Sequence, residues 1–351
     1  MESAERVPVS LLTGFLGSGK TTLLNTLLKA PEFANTAVIV NEFGAIGLDH
    51  YLVEKGSDNV VLLEAGCLCC TIADSLDETL ADLHSRKVRG VIPPFARVII
   101  ETTGLADPAP ILNTLLGHRL VTDYYRLDAV IVTVDAQHAL AEMTAQQEVV
   151  KQIAVADRLV VTKLDVAPAA SDLFARLEQL NPRAEIVESR HGDAALAAFA
   201  SLERHRVAVD VAPHDATHHG HAHHHAEAND VNRHDARVRA HCFVIDEPIS
   251  WAGIAAWWRI VSGAFGDRLL RTKGIVRIAD SDEIVFLQGV QRVFHRPERL
   301  AGWPDTDHRS RLVCITRDVD ESELRATLPA LALPPGSDPH VSLAQLTEGR
   351  P

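Results

Sequence analysis

Cysteine is scarce in this chain, which has only five among its 351 residues. A small and odd number of thiols argues against the disulfide framework of a secreted protein. Three of the five nevertheless fall within four positions, at Cys67, Cys69 and Cys70. Taken alone, this cluster fits a metal site, a redox pair or a buried apolar patch. The C-x-x-C spacing of Cys67 and Cys70 keeps the redox interpretation open.

Positive charge and long apolar runs are also lacking. The chain has 34 Lys and Arg against 47 Asp and Glu, a formal net charge of −13. Because nucleic-acid phosphates require a basic surface, this charge argues against a general nucleic-acid binder. No apolar run approaches the length of a membrane span. The N-terminal MESAERVPVS is acidic and polar and does not show the basic and then apolar pattern of a secretory signal. We therefore expect a cytoplasmic protein with neither nucleic acid nor membrane as a partner.

Short β-branched runs alternate with longer amphipathic segments as far as about residue 200. This alternation predicts an α/β fold with a mostly parallel, doubly wound sheet covered by helices on both faces. The strand candidates are VPVSLL, TAVIV, VVLL, ARVII, DAVIVTV, DRLVVT and AEIVE. After this region the chain changes character, and we predict four parts. They are a first domain at 1–205, a His-rich flexible linker at 206–239, a smaller α+β domain at 240–332 and a disordered tail at 333–351.

The segment GFLGSGKT fits the phosphate-binding pattern G-x-x-x-x-G-K-[ST], between a predicted strand and a predicted helix. Its backbone N–H groups and the helix N-terminus would wrap the phosphates. Lys20 would neutralise the β and γ oxygens, and the Thr21 hydroxyl would hold Mg²⁺. The residues predicted to contact the nucleotide here are Gly14, Gly17, Ser18, Gly19, Lys20, Thr21 and Thr22.

Two further motifs follow predicted strands. TKLD, with Thr162, Lys163 and Asp165, stands where GTP-binding proteins carry Asn-Lys-x-Asp, and the Asp165 carboxylate would accept from the guanine N1–H and amine. In ETTGLADP, Glu101 ends a strand where a carboxylate can lie near Mg²⁺ and the attacking water, and Gly104 can approach the γ-phosphate. The alternatives are an ordinary polar turn at TKLD and a strand-end turn at Glu101.

Together, LLTGFLGSGKTTLLN, NEFGAIGLDH, GCLCC, ETTGLADP, TKLD and LQGVQRVF resemble, in this order, the CobW-type P-loop GTPases, and within them the YjiA-like branch. The resemblance implies a P-loop GTPase domain and a smaller C-terminal α+β domain. It also implies that Glu101 replaces the usual Walker B aspartate and that the family acts in metal insertion or metal homeostasis.

The resemblance also bears on the cysteines, because a CLCC cluster is the metal-binding signature of that family. Thiolates suit zinc or cobalt, and three of them leave a ligand shell that a carrier can open. Glu42 and Asp49 are further candidate ligands for Mg²⁺ or the transported metal. The resemblance implies a metal contact for His118, whose alternative is a solvated histidine at a helix end. Val40 and Ala45 replace carboxylates of some relatives, which weakens one auxiliary metal site.

Histidines are concentrated in the predicted linker. The run within twelve residues comprises His214, His218, His219, His221, His223, His224 and His225. Imidazoles at this density bind Zn²⁺, Ni²⁺ or Co²⁺ at neutral pH, so we favour metal scavenging over a solvated loop without function.

We therefore expect a GTPase that hydrolyses GTP to GDP at a low intrinsic rate and couples this reaction to the delivery of a transition metal. Catalysis would depend on Lys20 and Glu101, with GTP, Mg²⁺ and Zn²⁺ or Co²⁺ bound. The expected partner is a metalloprotein client that the sequence does not identify, and a homodimer is compatible with the sequence. The alternatives are a metal buffer whose nucleotide site is regulatory, and an ATP-dependent kinase with a structural zinc.

Overall fold

The computed structural model contains two sheets, each with its own helices. The residues that it describes are 6–41, 61–65, 72–167, 170–199, 238–304 and 306–340. The strands of the first sheet are β1 (Val7–Gly14), β2 (Thr36–Asn41), β3 (Val61–Ala65), β4 (Arg97–Glu101), β5 (Tyr125–Asp135), β6 (Arg158–Thr162) and β7 (Glu185–Glu188).

The first sheet has seven strands in the order β3-β2-β4-β1-β5-β6-β7. Every pairing between these strands is parallel, which confirms the predicted sheet. The chain leaves β1 toward β2 on one side, whereas β4 connects across β1 to β5 on the other. The topology therefore reverses at β1, and ligands of open α/β sheets bind outside the strands' carboxyl ends at such a point.

Helices cover both faces of this sheet. They are α1 (Lys20–Leu28), α2 (Ile72–Val88), α3 (Pro108–Gly117), α4 (Arg119–Tyr124), α5 (Ala139–Ala145), α6 (Gln147–Val155), α7 (Ser171–Leu180) and α8 (Ala195–Phe199). The apolar sides of α1 and α8 pack on one face, while α2, α3, α6 and α7 pack on the other. The alternation of strands and helices in the sequence thus corresponds to a doubly wound core.

The second sheet is antiparallel and forms the smaller C-terminal domain. Its strands are β8 (Val238–Ile245), β9 (Leu269–Arg277), β10 (Ile284–Val290), β11 (Val293–Phe294), β12 (Glu298–Arg299) and β13 (Ser310–Arg317). Helix α9 (Trp251–Phe265) packs on one face with Trp257 and Trp258 in the core, and α10 (Glu321–Arg325) follows the last strand. This arrangement confirms the predicted α+β architecture.

Two segments of this domain, which the sequence pattern predicts as one strand and one helix, are each interrupted. The run EIVFLQGVQRVFH forms the hairpin β10–β11, because the chain turns at Gln291, whose φ is 51°. The segment ESELRATLPAL forms α10 and then a 3₁₀ helix at Leu328–Ala332. A continuous α-helix would bring Pro329 against the carbonyl of Arg325, which explains the break.

The described part of the predicted tail contacts the C-terminal domain. The Ser250 hydroxyl donates to the carbonyl of Leu333 at 2.5 Å, and Arg259 donates to the carbonyl of Pro339 at 3.3 Å. Residues 341–351 lie outside the described ranges. Among the described helices, none is long and apolar enough to cross a bilayer.

The two domains meet at a partly buried ion cluster. Asp157, immediately before β6, lies 3.1 Å from the Arg271 guanidinium and also binds the Lys273 ammonium. Burial alone would raise the pKa of Asp157, but these two cations outweigh it and hold the pKa at about 2. Nearby, His295 lies buried against Gly117 at the end of α3, and burial lowers its pKa to about 4. The junction therefore depends on one charge pairing and one neutral imidazole.

Candidate functional site

The P-loop begins where β1 ends and continues into α1. Gly17 and Gly19 have φ values of 71° and 95°, which glycine adopts without steric cost. A Cβ at Gly14 would come within 2.3 Å of the Thr133 hydroxyl, so this position also requires glycine. The Lys20 ammonium donates to the carbonyls of Gly14 at 2.8 Å and Phe15 at 3.0 Å. The loop is therefore a tight backbone turn, and the Lys20 ammonium is bound at its first two residues.

Hydroxyl groups hold the loop against the neighbouring strands. Ser18 Oγ lies 2.6 Å from Thr133 Oγ1 on β5. Thr162 Oγ1, at the end of β6, donates to the carbonyl of Ser18 at 2.8 Å. Thr162 was predicted to contact the nucleotide, and the structure places its hydroxyl on the phosphate-binding loop. Through this contact, the predicted base-recognition segment and the P-loop are fixed relative to each other.

Thr21 and Glu101 meet although they are far apart in sequence. The Thr21 hydroxyl donates to Glu101 Oε1 at 2.9 Å, and Glu101 ends β4 with 3 % of its surface exposed. A hydroxyl and a carboxylate oxygen are ligands that Mg²⁺ prefers, usually completed by water and substrate phosphates. The donor set at this point therefore fits the magnesium ion that P-loop chemistry requires.

The segment after Glu101 is held by α6. A Cβ at Gly104 would lie 2.5 Å from the backbone nitrogen of Leu16, so only glycine allows this approach to the P-loop. The Gln152 side chain donates to the carbonyls of Gly104 at 3.2 Å and Ala106 at 3.0 Å. Gly104 was predicted to approach the γ-phosphate, and the structure places it against the loop that would bind that phosphate.

At the other side of the loop lie Lys163 and Asp165. Lys163 adopts a φ of 60°, and its ammonium binds Asp135 at 2.7 Å. The Asp165 carboxylate lies 3.6 Å from His191 Nε2 in the turn after β7. Burial alone would raise the pKa of Asp135, but hydrogen bonds from Lys163, His138 and a backbone N–H hold it below its usual value. Two carboxylates thus lie at this edge of the sheet, and that of Asp135 is paired with Lys163.

Sequence reasoning missed Asp135 and His191. Asp135 ends the strand DAVIVTVD, and His191 lies three residues after AEIVE, so the rule that ligands bind beyond strand ends was available for both. Neither residue belongs to a named motif, so this rule is the only signal in the sequence that indicates them. Gly192, beside His191, packs against Thr22 and Thr26 of α1, so this turn adjoins the predicted nucleotide site.

Most of the predicted metal ligands lie outside the residues that the structure describes. His118 follows α3, and its ring lies 3.2 Å from the Asp77 carboxylate of α2. Within the described ranges, no three His, Cys, Asp or Glu residues form a group that could hold a metal. The remaining candidates lie outside these ranges and stay predictions: Glu42, Asp49, Cys67, Cys69, Cys70, His218, His219, His221, His223, His224 and His225.

Two family models match this chain. The model described as CobW/HypB/UreG, nucleotide-binding domain, matches residues 8–188. The model described as cobalamin synthesis protein cobW C-terminal domain matches residues 238–332. Together they cover both sheets.

Curated and solved relatives span nearly the whole chain. It is 33% identical over 329 residues to the zinc chaperone YjiA of Escherichia coli, covering 93% of this chain and 98% of the relative. It is 29% identical to the zinc chaperone CobW of Pseudomonas aeruginosa, over 92% of this chain and 91% of the relative. The crystal structure of Zn(II)-bound YjiA GTPase from E. coli matches with a TM-score of 0.69 and 29% identity, covering 94% of this chain and 100% of that one.

Proposed function

This chain belongs to the CobW/HypB/UreG family, and we propose that it is a GTPase that couples GTP binding and hydrolysis to the binding and delivery of zinc. The proposed binding and hydrolysis of GTP rests on the 2.9 Å contact between Thr21 and Glu101 beside a P-loop that requires glycine. The zinc half is supported by relatives that are named zinc chaperones and match more than nine-tenths of the chain.

Charge stabilisation is the principal catalytic task of the P-loop. Phosphoryl transfer needs positioning and neutralisation of charge on the phosphate oxygens more than covalent help from the protein. The Lys20 ammonium, which binds the carbonyl of Gly14 at the start of the loop, would donate to the β and γ oxygens. The N–H groups of the loop would bind the remaining phosphate oxygens. A bound Mg²⁺, held by Thr21 and near Glu101, supplies further neutralisation of these oxygens.

Base selection is assigned to Asp165. Guanine offers an N1–H and an amine side by side, and a carboxylate can accept from both, whereas adenine lacks this pair. Asp165 lies at the same edge as Thr162, which binds the P-loop, so base and phosphates would be recognised by one connected structure.

The proposed cargo site is the cluster Cys67, Cys69 and Cys70. Three thiolates do not complete the four-coordinate shell that zinc usually takes, so another ligand must come from water, this chain or a partner. A shell completed in this way can be opened for delivery. The recipient is proposed to be a metalloprotein client.

The proposal is tested with the purified full chain loaded with zinc. We expect faster turnover of GTP than of ATP, and zinc transfer to a chromogenic chelator that depends on GTP hydrolysis. Ser at Cys67, Cys69 and Cys70 should abolish tight zinc binding, whereas Cys242→Ser, a matched change in β8, should not. Preference for ATP would reject the GTPase assignment. Tight zinc binding with negligible GTP turnover would instead identify a metal buffer.

A further inference from the structure

A cleft lies where the two domains adjoin, and the site described above does not use it. Its volume is about 480 Å³, within the range of small-ligand pockets. Helices α5 and α6 line it from the first domain, and residues of β8, β9 and β13 or just beside them line it from the second.

The lining carries an excess of positive charge. Lys151, Arg268 and Arg317 face the cleft together with a single acidic residue, Asp318. This is unusual for a chain whose net charge is −13. Lys151 is paired with Asp107, so the positive charge available to attract a carboxylate or phosphate group comes chiefly from Arg268 and Arg317.

The two arginines bind neutral oxygen atoms. Arg268 donates to the carbonyls of Asp318 at 3.0 Å and Ala264 at 3.2 Å. Arg317 donates to the side-chain oxygen of Gln147 on α6 at 3.1 Å. Within the described residues neither guanidinium pairs with a carboxylate, so both can accept an anion without breaking an ion pair.

The rest of the lining is apolar. Met143, Val238 and Leu270 are buried side chains that contribute to the wall, and Val150 is half-buried beside them. A small inorganic anion would leave this apolar surface in water. A peptide whose acidic and apolar side chains alternate would satisfy both parts, since successive side chains of an extended strand point in opposite directions.

Lys151 connects the cleft with the nucleotide site. Its ammonium lies 2.6 Å from Asp107, which caps α3 by accepting from the backbone N–H of Ala109. The next residue, Gln152, holds the carbonyls of Gly104 and Ala106. An acidic group that competes for Lys151 would therefore act on the segment that follows Glu101.

We propose that this cleft binds an acidic, partly apolar peptide segment of a partner protein, and that Lys151 transmits its occupancy to the segment Gly104–Asp107. Identifying this partner with the metalloprotein client rests on the proposed function, whereas binding of the peptide does not. Lys151 acts here as a positioning residue.

Binding is tested by fluorescence polarisation with a labelled hexapeptide of alternating leucine and glutamate. The full chain is used in buffer without metal or nucleotide, so that a failure of the GTPase or zinc proposal leaves the result unaffected. We expect Arg268→Gln with Arg317→Gln to weaken binding at least about tenfold, because two charge-assisted hydrogen bonds are lost. The matched control is Arg299→Gln with Arg325→Gln, two exposed arginines of the same domain, which should bind like the unmodified chain.

Three outcomes would overturn the docking site. The first is equal binding of hexapeptides in which lysine or glutamine replaces glutamate. The second is unchanged binding by the cleft variant, which carries Arg268→Gln and Arg317→Gln. The third is competition by free glutamate at the same carboxylate concentration, which would show a site for small anions. Circular dichroism of each variant checks that the domains are folded.

Transmission is tested by GTP hydrolysis. We expect a saturating concentration of the acidic hexapeptide to change kcat in the unmodified chain and to leave kcat of Lys151→Gln unchanged. The cleft variant should keep the basal rate and lose the response. A peptide that binds without changing kcat, or that changes it equally in Lys151→Gln, would contradict the role of Lys151.

Discussion

At its carboxyl end, β6 meets the P-loop through neutral groups, whereas at its amino end it meets the C-terminal domain through charges. The Thr162 hydroxyl donates to the Ser18 carbonyl, and Asp157 pairs with Arg271 and Lys273. Both contacts join distant parts of the chain, 144 and 114 residues apart. Sequence distance therefore does not distinguish the two ends.

The difference lies in what the charges do. At the domain junction, the buried Arg271 and the half-buried Asp157 and Lys273 satisfy one another's charges, which favours one arrangement of the two domains. At the end of β6 near the predicted nucleotide site, hydroxyls and carbonyls hold the P-loop, and the Lys20 ammonium binds the carbonyl of Gly14 at the start of that loop. The first arrangement serves assembly, whereas the second presents charge to a substrate. The following changes should separate these two roles.

Asp157→Asn should have the largest effect, on stability. It leaves the buried Arg271 and the half-buried Lys273 without their carboxylate, and breaking a buried ion pair costs about 3–5 kcal/mol. Urea unfolding of the full chain measures the loss, and Asp267→Asn, in an exposed pair with Arg292, should change stability little. The pKa of Asp157 is about 2, so its contribution is complete above its unfolded pKa of 3.8 and is lost as the pH falls toward 2. If Asp157→Asn were as stable as the unmodified chain, the idea that charge pairing stabilises the domain junction would be wrong.

Lys20→Ala should act on chemistry instead of stability. Removing a preorganised cation from developing charge typically lowers kcat by about 10²–10³. Single-turnover GTP hydrolysis measures the change, with Lys29→Ala at the exposed end of α1 as the matched control. If both variants hydrolysed GTP equally well, the assignment of the P-loop cation would be wrong.

Asp165→Asn should weaken GTP binding about tenfold to a hundredfold, since a hydrogen bond to a charged group contributes roughly 1.5–3 kcal/mol. Competition between GTP and ATP measures the preference, and the exposed Asp172→Asn should leave it unchanged. Equal affinities for GTP and ATP in the unmodified chain would reject guanine recognition by Asp165.

His295 should make the junction sensitive to mild acid. Its pKa is about 4 in the folded protein against 6.5 in the unfolded chain, so the folded state binds fewer protons between these values. Stability is then complete above pH 6.5 and falls as the pH drops toward 4, by about 2 kcal/mol at pH 5. His295→Gln should flatten this part of the stability profile, whereas His340→Gln, an exposed residue, should not. A profile that is identical in all three proteins would contradict a buried neutral imidazole at the junction.

The candidate nucleotide site, at the carboxyl ends of the strands of the first sheet, could be predicted because its residues belong to contiguous motifs. Strands and helices of the first domain follow from periodicity, and Gly14–Thr21, Glu101 and Thr162–Asp165 then fall at strand ends of one parallel sheet. The junction could not be predicted in this way. Arg271 and Lys273 lie in an ordinary strand pattern, and nothing in the sequence indicates that both reach Asp157.

The central claim is that nucleotide and zinc act on one another, and it is tested most directly by titrating Zn²⁺ into the full chain bound to GDP and to a non-hydrolysable GTP analogue. If both ligands favour the same conformation, each raises the affinity of the other by the same factor, typically about fivefold to 150-fold. We predict tighter zinc binding with the GTP analogue, and loss of this difference when Cys67, Cys69 and Cys70 are replaced by Ser. Identical zinc affinities in the two nucleotide states would contradict a GTP-gated zinc carrier.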